Sequence, residues 1–396
     1  MTTTTAPPQT HRSPILTRPL LAVVAANFCA LCGFYLLVAA IPSQATSIGA
    51  GTSGAGLATS VLLLTTVAGE LIAPRLLNRY TSRRVLGGSL AALGLAPLLV
   101  TSSPTMGALL LGCTICGLGF GVLMVTAGTL IAFLAPADRR GEALGLTGAI
   151  ACLPGVAGLP AGIWLVAQYG AAPVFLLAGG ATLAGLSVLR GVPSDVTATD
   201  GPPSGLLATV RRPEMWRPSL VFLSTTMAAG IVVAFLPLAL GAASGVAAAA
   251  LLVMSVGATL GRWLAGRHGD RHGPARLLVP SLIISATGLL MLGLTTQPAV
   301  VLLGAAVLGL GFGGTQNSSM AIMLERASAA EYRSVTALWN IAYDAGWGIG
   351  AAAFGMVVGG TGFAIAFGIT GLLMLSTLGA AIRTSRSGSV SPAARR

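Results

Sequence analysis

Residues 110–121 read "LLGCTICGLGFG", and residues 302–313 read "LLGAAVLGLGFG". Eight of the twelve positions are identical, at an offset of 192 residues (110 to 302). The same offset places "APRLLNRYTSRRVL" (73–86) on "AGRHGDRHGPARLL" (265–278), so that Arg75, Arg79 and Arg84 fall on Arg267, Arg271 and Arg276. One residue more places "DRRG" (138–141) on "EYRS" (331–334). Three matches at nearly one spacing describe a chain that doubles a single unit.

Composition says what the unit is made of. Charged residues are 8% of the chain and hydrophobic residues 54%, with a mean hydropathy of +0.86. An ordinary soluble domain carries about 25% charge, and this chain has too little polar surface for one. It has instead repeated apolar runs of the length that crosses a bilayer as a helix. Twelve are expected: 18–41, 54–77, 84–102, 106–135, 141–168, 171–192, 217–240, 245–267, 276–296, 298–325, 334–358 and 361–383. The fold class is therefore an all-α integral membrane protein, with twelve transmembrane helices in two six-helix pseudo-symmetric bundles.

The chain has no lysine, and its 22 basic residues are all arginine. They fall in the tails, in the loops after even-numbered spans, and at the neighbouring helix ends. Outer loops such as "PSQATSIGAG" and "TSSPT" have none. Positive residues mark the cytoplasmic side, so both termini are expected in the cytoplasm and the protein multi-pass in the cell inner (cytoplasmic) membrane. Because six is even, both halves insert the same way up, as a parallel repeat with a site at mid-depth between them. The expected domains are a disordered tail (1–17), a first bundle (18–192), a cytoplasmic linker (193–216) with a short helix near 204–212, a second bundle (217–383) and a second disordered tail (384–396). The Thr/Pro-rich start reads as a tail and not a signal peptide.

The net charge of +12 is scattered over many loops and forms no single basic face, so no nucleic-acid partner is expected. A phosphate-binding Gly-x-x-x-x-Gly-Lys loop is impossible without lysine, which excludes a nucleotide partner. No catalytic constellation is visible, and the chain does not read as an enzyme. The pairs Cys29/Cys32 and Cys113/Cys116 have soft-metal spacing but no histidine or polar shell beside them, so they read as small buried residues. Neither metal nor cofactor is expected.

The stretch "GRHGDRHGPARLL" (266–278) resembles the Gly-x-x-x-Asp-Arg-x-Gly-x-x-Arg loop motif of the major facilitator superfamily. Gly266, Asp270, Arg271, Gly273 and Arg276 match it. The first-half equivalent keeps Arg79 and Arg84, but Pro74, Asn78 and Thr81 replace Gly, Asp and Gly. Span 5, "GAIACLPGVAGLPAG" (148–162), resembles the Gly/Pro-rich motif of drug–proton antiporters, and span 11 resembles bacterial efflux members. The resemblance covers essentially the whole chain. It implies two bundles that rock about a central site, with the loop motif as a gate. It departs at Cys113, where many proton-coupled members carry an arginine. Independently of the family, an aspartate beside such a loop can accept from the free amides at a neighbouring helix N-terminus. The arginines serve equally as simple topology anchors.

Two acids lie inside spans. Asp344 is eleven residues past Arg333, about 16 Å along a helix. A charge at that depth costs at least ~2.5–3.5 kcal/mol unless it is wet, paired or protonated. Asp344 therefore reads as a proton carrier or a cation-binding group. Glu70 sits eight residues before Asn78, about 12 Å deep, and its repeat partner is Arg262. Glu70 is a second proton-coupling candidate and a possible inter-half partner of Arg262. Polar or aromatic residues mark a cavity lining for substrate: Asn27 and Tyr35 in span 1, Thr126 in span 4, Thr225 in span 7, Gln316 and Asn317 in span 10. In span 11, Asn340, Tyr343 and Trp347 join them, with Asn340 and Trp347 on the face of Asp344.

Taken together, the sequence predicts a monomeric secondary active transporter that moves a small-molecule substrate across membrane lipid. Export of a small hydrophobic drug or secondary metabolite by proton antiport with alternating access is expected. An uptake symporter or uniporter for a sugar, organic acid or amine is the alternative. A membrane receptor or scaffold that transports nothing is the reading from another class.

Overall fold

A computed structural model describes residues 14–194, 205–240, 244–293 and 297–387. Among these residues the structure is helical and has no strand. The reason is general: with no water in the bilayer to satisfy a free backbone, a spanning segment must close its hydrogen bonds internally. Twelve helices are long and apolar enough to cross a membrane. Among the described residues they are, in order, Arg18–Ser47, Gly54–Arg79, Ser82–Ser102, Met106–Leu134, Ala137–Tyr169, Ala171–Gly191, Pro213–Leu240, Gly245–His272, Ala275–Leu292, Pro298–Glu325, Ala329–Thr361 and Phe363–Arg386. Span 6 ends as a tighter helix, Gly185–Gly191, and span 12 runs into Leu378–Ser387.

Several ends differ from the sequence expectation. Span 1 carries through Pro42 to Ser47 instead of stopping before the proline. In an apolar setting, giving up the one bond that proline removes is cheaper than exposing a helix end. Span 8 runs on to His272, so Asp270 lies in its last turn and not in a loop. Gly273, at φ 87°, ends that helix in the left-handed region that glycine allows. The final helix reaches Ser387, past the expected start of the second tail. Residues 1–13 and 388–396 of the expected tails, and 195–204 of the linker, lie outside the described residues. The short linker helix is Leu206–Arg211. Arg212 just after it bonds Glu331 and the Arg326 carbonyl, which ties the linker to the loop between spans 10 and 11.

The repeated stretch earns its repetition by packing. A Cβ on Gly121 of span 4 would collide with the Thr66 carbonyl of span 2. A Cβ on Gly313 of span 10 would collide with the Ala258 carbonyl of span 8. Both donor and target positions are 192 apart, so the same close helix contact is built once in each half. The turns after spans 5 and 11 repeat as well, at Gly170 (φ 79°) and Gly362 (φ 78°).

Two large apolar cores follow, one from Ile15 to Val192 and one from Val221 to Ala381. Two small clusters bridge them near the arginine-rich ends of the helices. One joins Ala132, Met320, Met323 and Tyr332; the other joins Leu77, Val122, Val125 and Ala337.

Candidate functional site

The halves meet along two seams. Spans 5 and 8 form one, spans 2 and 11 the other, and the 192-residue repeat maps each seam onto its partner.

In the 5/8 seam, Asp270 sits over the N-terminus of span 5. Its two carboxylate oxygens accept from the Gly141 and Glu142 amides, each at 2.7 Å. These amides are among the unsatisfied donors of a helix start, where the helix dipole favours negative charge. Asn317 donates to the Gly141 carbonyl (3.1 Å) and the Arg262 carbonyl (3.0 Å), so span 10 pins both helices. Two turns deeper, Arg262 Nη1 donates to the Gly148 carbonyl at 2.8 Å and lies 3.5 Å from Cys152 Sγ.

In the 2/11 seam, the same positions carry other chemistry. Arg333 Nη1 donates to Asn78 Oδ1 at 2.8 Å, on the rim. Deeper in, the carboxyl groups of Glu70 and Asp344 face each other across the seam. A carboxylate only accepts, so a hydrogen bond between them requires that one of the two carry a proton. Glu70 is 1% exposed, and its Oε2 has no partner among the described residues. Asp344 keeps some exposed surface. The expected pairing of Glu70 with Arg262 is therefore not formed in this structure: each faces the other half, Glu70 toward Asp344 and Arg262 toward Gly148 and Cys152.

Between the seams lies a cavity of about 120 Å³. It brings together Asn27, Gln316, Asn317 and Asn340 from the sequence-read set, and adds Arg262, Thr336 and Trp339. Asn340 donates to the Thr336 carbonyl at 2.9 Å. Asn27 Oδ1 and Thr336 Oγ1 are buried without a partner among the described residues. A larger groove of about 360 Å³ lies between spans 2, 3 and 4 beside Tyr80 and Arg84, away from the interface of the halves.

Other expected residues stand elsewhere. Tyr35 packs against Gly155 of span 5. It lies within electrostatic reach of Cys152, Asp344 and Arg262, and Tyr343 faces the same four groups, Tyr35 included. Thr126 and Thr225 are buried and bond carbonyls of their own helices, Val122 and Phe222. Neither lines the cavity. Trp347 packs on Gly230 within its own half, and its Nε1 is buried without a partner among the described residues. The aromatic wall of the cavity is Trp339, two turns earlier. Its ring stacks on Phe222 at 4.4 Å between centroids, and its Nε1 donates to Ser319 Oγ at 3.0 Å. Sequence reading missed Trp339, although Trp339, Tyr343 and Trp347 recur at every fourth residue, the signature of one helix face. It also missed Cys152 as a site residue, at the position equivalent to Asp344 in the other half of the repeat.

Among the described residues, no group of three or more His, Cys, Asp or Glu side chains is placed to hold a metal. Cys29 and Cys32 are partly buried, and Cys113 and Cys116 buried.

The sequence model of the Major Facilitator Superfamily matches residues 23–351 and 221–395. A "Chloramphenicol resistance protein" from Streptomyces lividans is 27% identical over 346 residues, 83% of this chain and 87% of that protein. Among solved structures, an outward conformation of the transporter FucP superposes with a TM-score of 0.76 at 14% identity, covering 94% of this chain and 99% of that one. The human organic anion transporter TETRAN superposes with a TM-score of 0.73 at 16% identity, covering 92% and 99%. At such identities these structures share the fold.

Proposed function

The chain belongs to the Major Facilitator Superfamily, and from that premise we propose that it exports a small organic molecule in exchange for protons. The observation that supports this reading is that the carboxyls of Glu70 in the first half and Asp344 in the second face each other inside the 2/11 seam. With the arginine-rich ends in the cytoplasm, both seams close the cytoplasmic side and the structure is the form shut toward the cell interior. In that form a single proton sits between the two carboxyls. When the halves part, each carboxyl faces water alone and the shared bond is lost, so the proton leaves toward the cytoplasm. The bundles 18–192 and 217–383 rock as units, linked by 193–216, and a monomer suffices.

The drug-like nature of the cargo is supported by the chloramphenicol resistance relative. The cavity of Asn27, Gln316, Asn340 and Trp339 offers amides for polar groups and one aromatic wall. Asp270 on the span 5 amides holds the rim shut independently of the proton. An uptake carrier is the second reading, because Cys113 leaves span 4 without the arginine of many proton-coupled relatives. The direction of chloramphenicol flux under an imposed pH gradient separates the two.

The test is proton movement in pyranine-filled proteoliposomes, with chloramphenicol as cargo. Asp344→Asn is expected to reduce cargo-dependent proton flux to the level of empty liposomes. Unchanged flux in that variant would remove Asp344 from the coupling step.

A further inference from the structure

Arg262 enters the cavity between the seams with half of its guanidinium committed. Nη1 donates to the Gly148 carbonyl and to Cys152. Among the described residues, nothing accepts from Nε or Nη2. Those two N–H groups form one side of the planar fork, the side that grips a carboxylate with two parallel bonds. The group is held in place: Gly148 lies flat against it, and a Cβ there would stand 2.8 Å from Nη1 and 3.1 Å from Cζ. A side chain there would shift the guanidinium from this position.

The surroundings choose the sign of the ligand. Among the described residues, no aspartate or glutamate lines the cavity. The two nearby acids, Glu70 and Asp344, face each other across the 2/11 seam, and neither is bonded to Arg262. The other titratable groups near Arg262 are Tyr35, Tyr343 and Cys152. A guanidinium in a low-dielectric pocket without a directly bonded counter-ion is costly, and an entering anion relieves that cost. The Thr336 hydroxyl, 1% exposed and unpartnered, has a proton to donate to the same anion. Asn27 Oδ1, also unpartnered, accepts from an N–H or O–H on the ligand body. The volume of about 120 Å³ admits several waters or one small headgroup.

We infer that the cargo binds through a carboxylate, or a planar two-oxygen group of the same shape such as an aryl nitro group, gripped by Nε and Nη2 of Arg262, with its apolar or aromatic body against Trp339 and Met320. The inference rests on the transport reading, whose site it specifies, and it names Arg262 as the residue that sets specificity. A cation is excluded by charge, and a neutral amide offers only one acceptor to a two-donor fork.

The experiment uses the purified full chain in detergent and three probes of nearly equal shape: benzoate, benzamide and benzylamine. Benzoate is expected to raise the melting temperature and quench tryptophan fluorescence, with the quench reduced in Trp339→Phe. The other two probes are expected to do neither. Arg262→Gln should abolish the benzoate response, and Arg262→Lys should weaken benzoate binding at least tenfold, since an ammonium lacks the fork. Circular dichroism and a monodisperse elution profile establish that each variant is folded. If benzamide or benzylamine acts on the wild type as strongly as benzoate, the inference is overturned, whatever the variants do. A folded Arg262→Gln that still responds to benzoate overturns it too. Proteoliposomes separate this from the transport reading. Benzoate bound through Arg262 without any proton movement removes the transport reading and keeps the site. Chloramphenicol-driven proton movement without benzoate binding removes the site and keeps the transport reading.

Discussion

The two seams occupy equivalent places and hold by different chemistry. Asp270 and Asn78 are 192 residues apart, as are Gly141 and Arg333, Arg262 and Glu70, and Cys152 and Asp344. In the 5/8 seam, a carboxylate sits on two helix-start amides and a guanidinium on a carbonyl and a thiol. None of those bonds needs an added proton. In the 2/11 seam, an amide meets an arginine at the rim and two carboxyls meet at depth. A bond between those two carboxyls requires a proton. On the proposed reading, one copy of the repeat is a fixed latch and the other a proton-dependent one. A symmetric pair of fixed latches would shut the protein; a symmetric pair of carboxyl latches would leave no permanent guanidinium for cargo.

The largest expected effect is on the second seam. In Glu70→Gln, the side-chain amide donates to Asp344 without a borrowed proton, so the seam closes at every pH. Proton-coupled transport should fall to background, while binding of cargo in detergent persists. Measuring both on one preparation breaks the comparison if transport survives.

Gly148→Ala should act next, on the first seam. Its Cβ would stand 2.8 Å from Arg262 Nη1, the far end of a flexible side chain, so the guanidinium shifts at little cost to the fold. Benzoate affinity should fall while the pH dependence of the halves stays as in the wild type, which titration calorimetry and a pH series would read out.

Asp270→Asn removes the charge from the helix-start contact. Such contacts are worth up to about 2 kcal/mol in partly buried settings. One to two kcal/mol corresponds to roughly a 5- to 30-fold shift in a two-state ratio. Reactivity of a cysteine introduced on the closed rim should rise by that factor, equally at low and high pH. A pH-dependent rise would show that the first seam also senses protons.

The smallest effect belongs to Asn78→Asp, which restores the aspartate of the family motif in the first half. It turns the bond with Arg333 into an exposed ion pair, worth about 0–1 kcal/mol and weakened by salt. A slight salt-sensitive gain in closure sharpens the contrast between the seams; a large gain would mean that the rim, and not the carboxyl pair, controls closing.

Much of this was legible in the amino-acid order. Twelve spans followed from run length, the duplication from one twelve-residue match, and Asp344 from its isolation in an apolar helix. The partner of Glu70 was not legible, for a geometric reason. Sequence alignment pairs equivalent residues, Glu70 with Arg262, but a two-fold repeat never brings equivalent helices face to face in these seams. Span 2 meets span 11, and its image, span 8, meets span 5. The aromatic wall was misplaced from Trp339 to Trp347 because helix spacing gives the face, while depth along the face depends on where span 7 crosses it. Asp270 was placed in a loop because the apolar run ends at Arg267, whereas the helix runs on to His272 and the left-handed turn comes at Gly273.

The most direct test follows the second seam as a function of pH. Fluorophores carried by non-canonical amino acids at the exposed positions Tyr80 and Ser328 leave all five cysteines in place and report the distance between the rims of spans 2 and 11. In the wild type, the short distance should give way to a longer one as pH rises and the shared proton leaves. In Glu70→Gln with Asp344→Asn, two amides hold each other without a proton, and the short distance should persist across the same range. A wild-type distance that ignores pH, or a double variant that follows it like the wild type, would contradict the account.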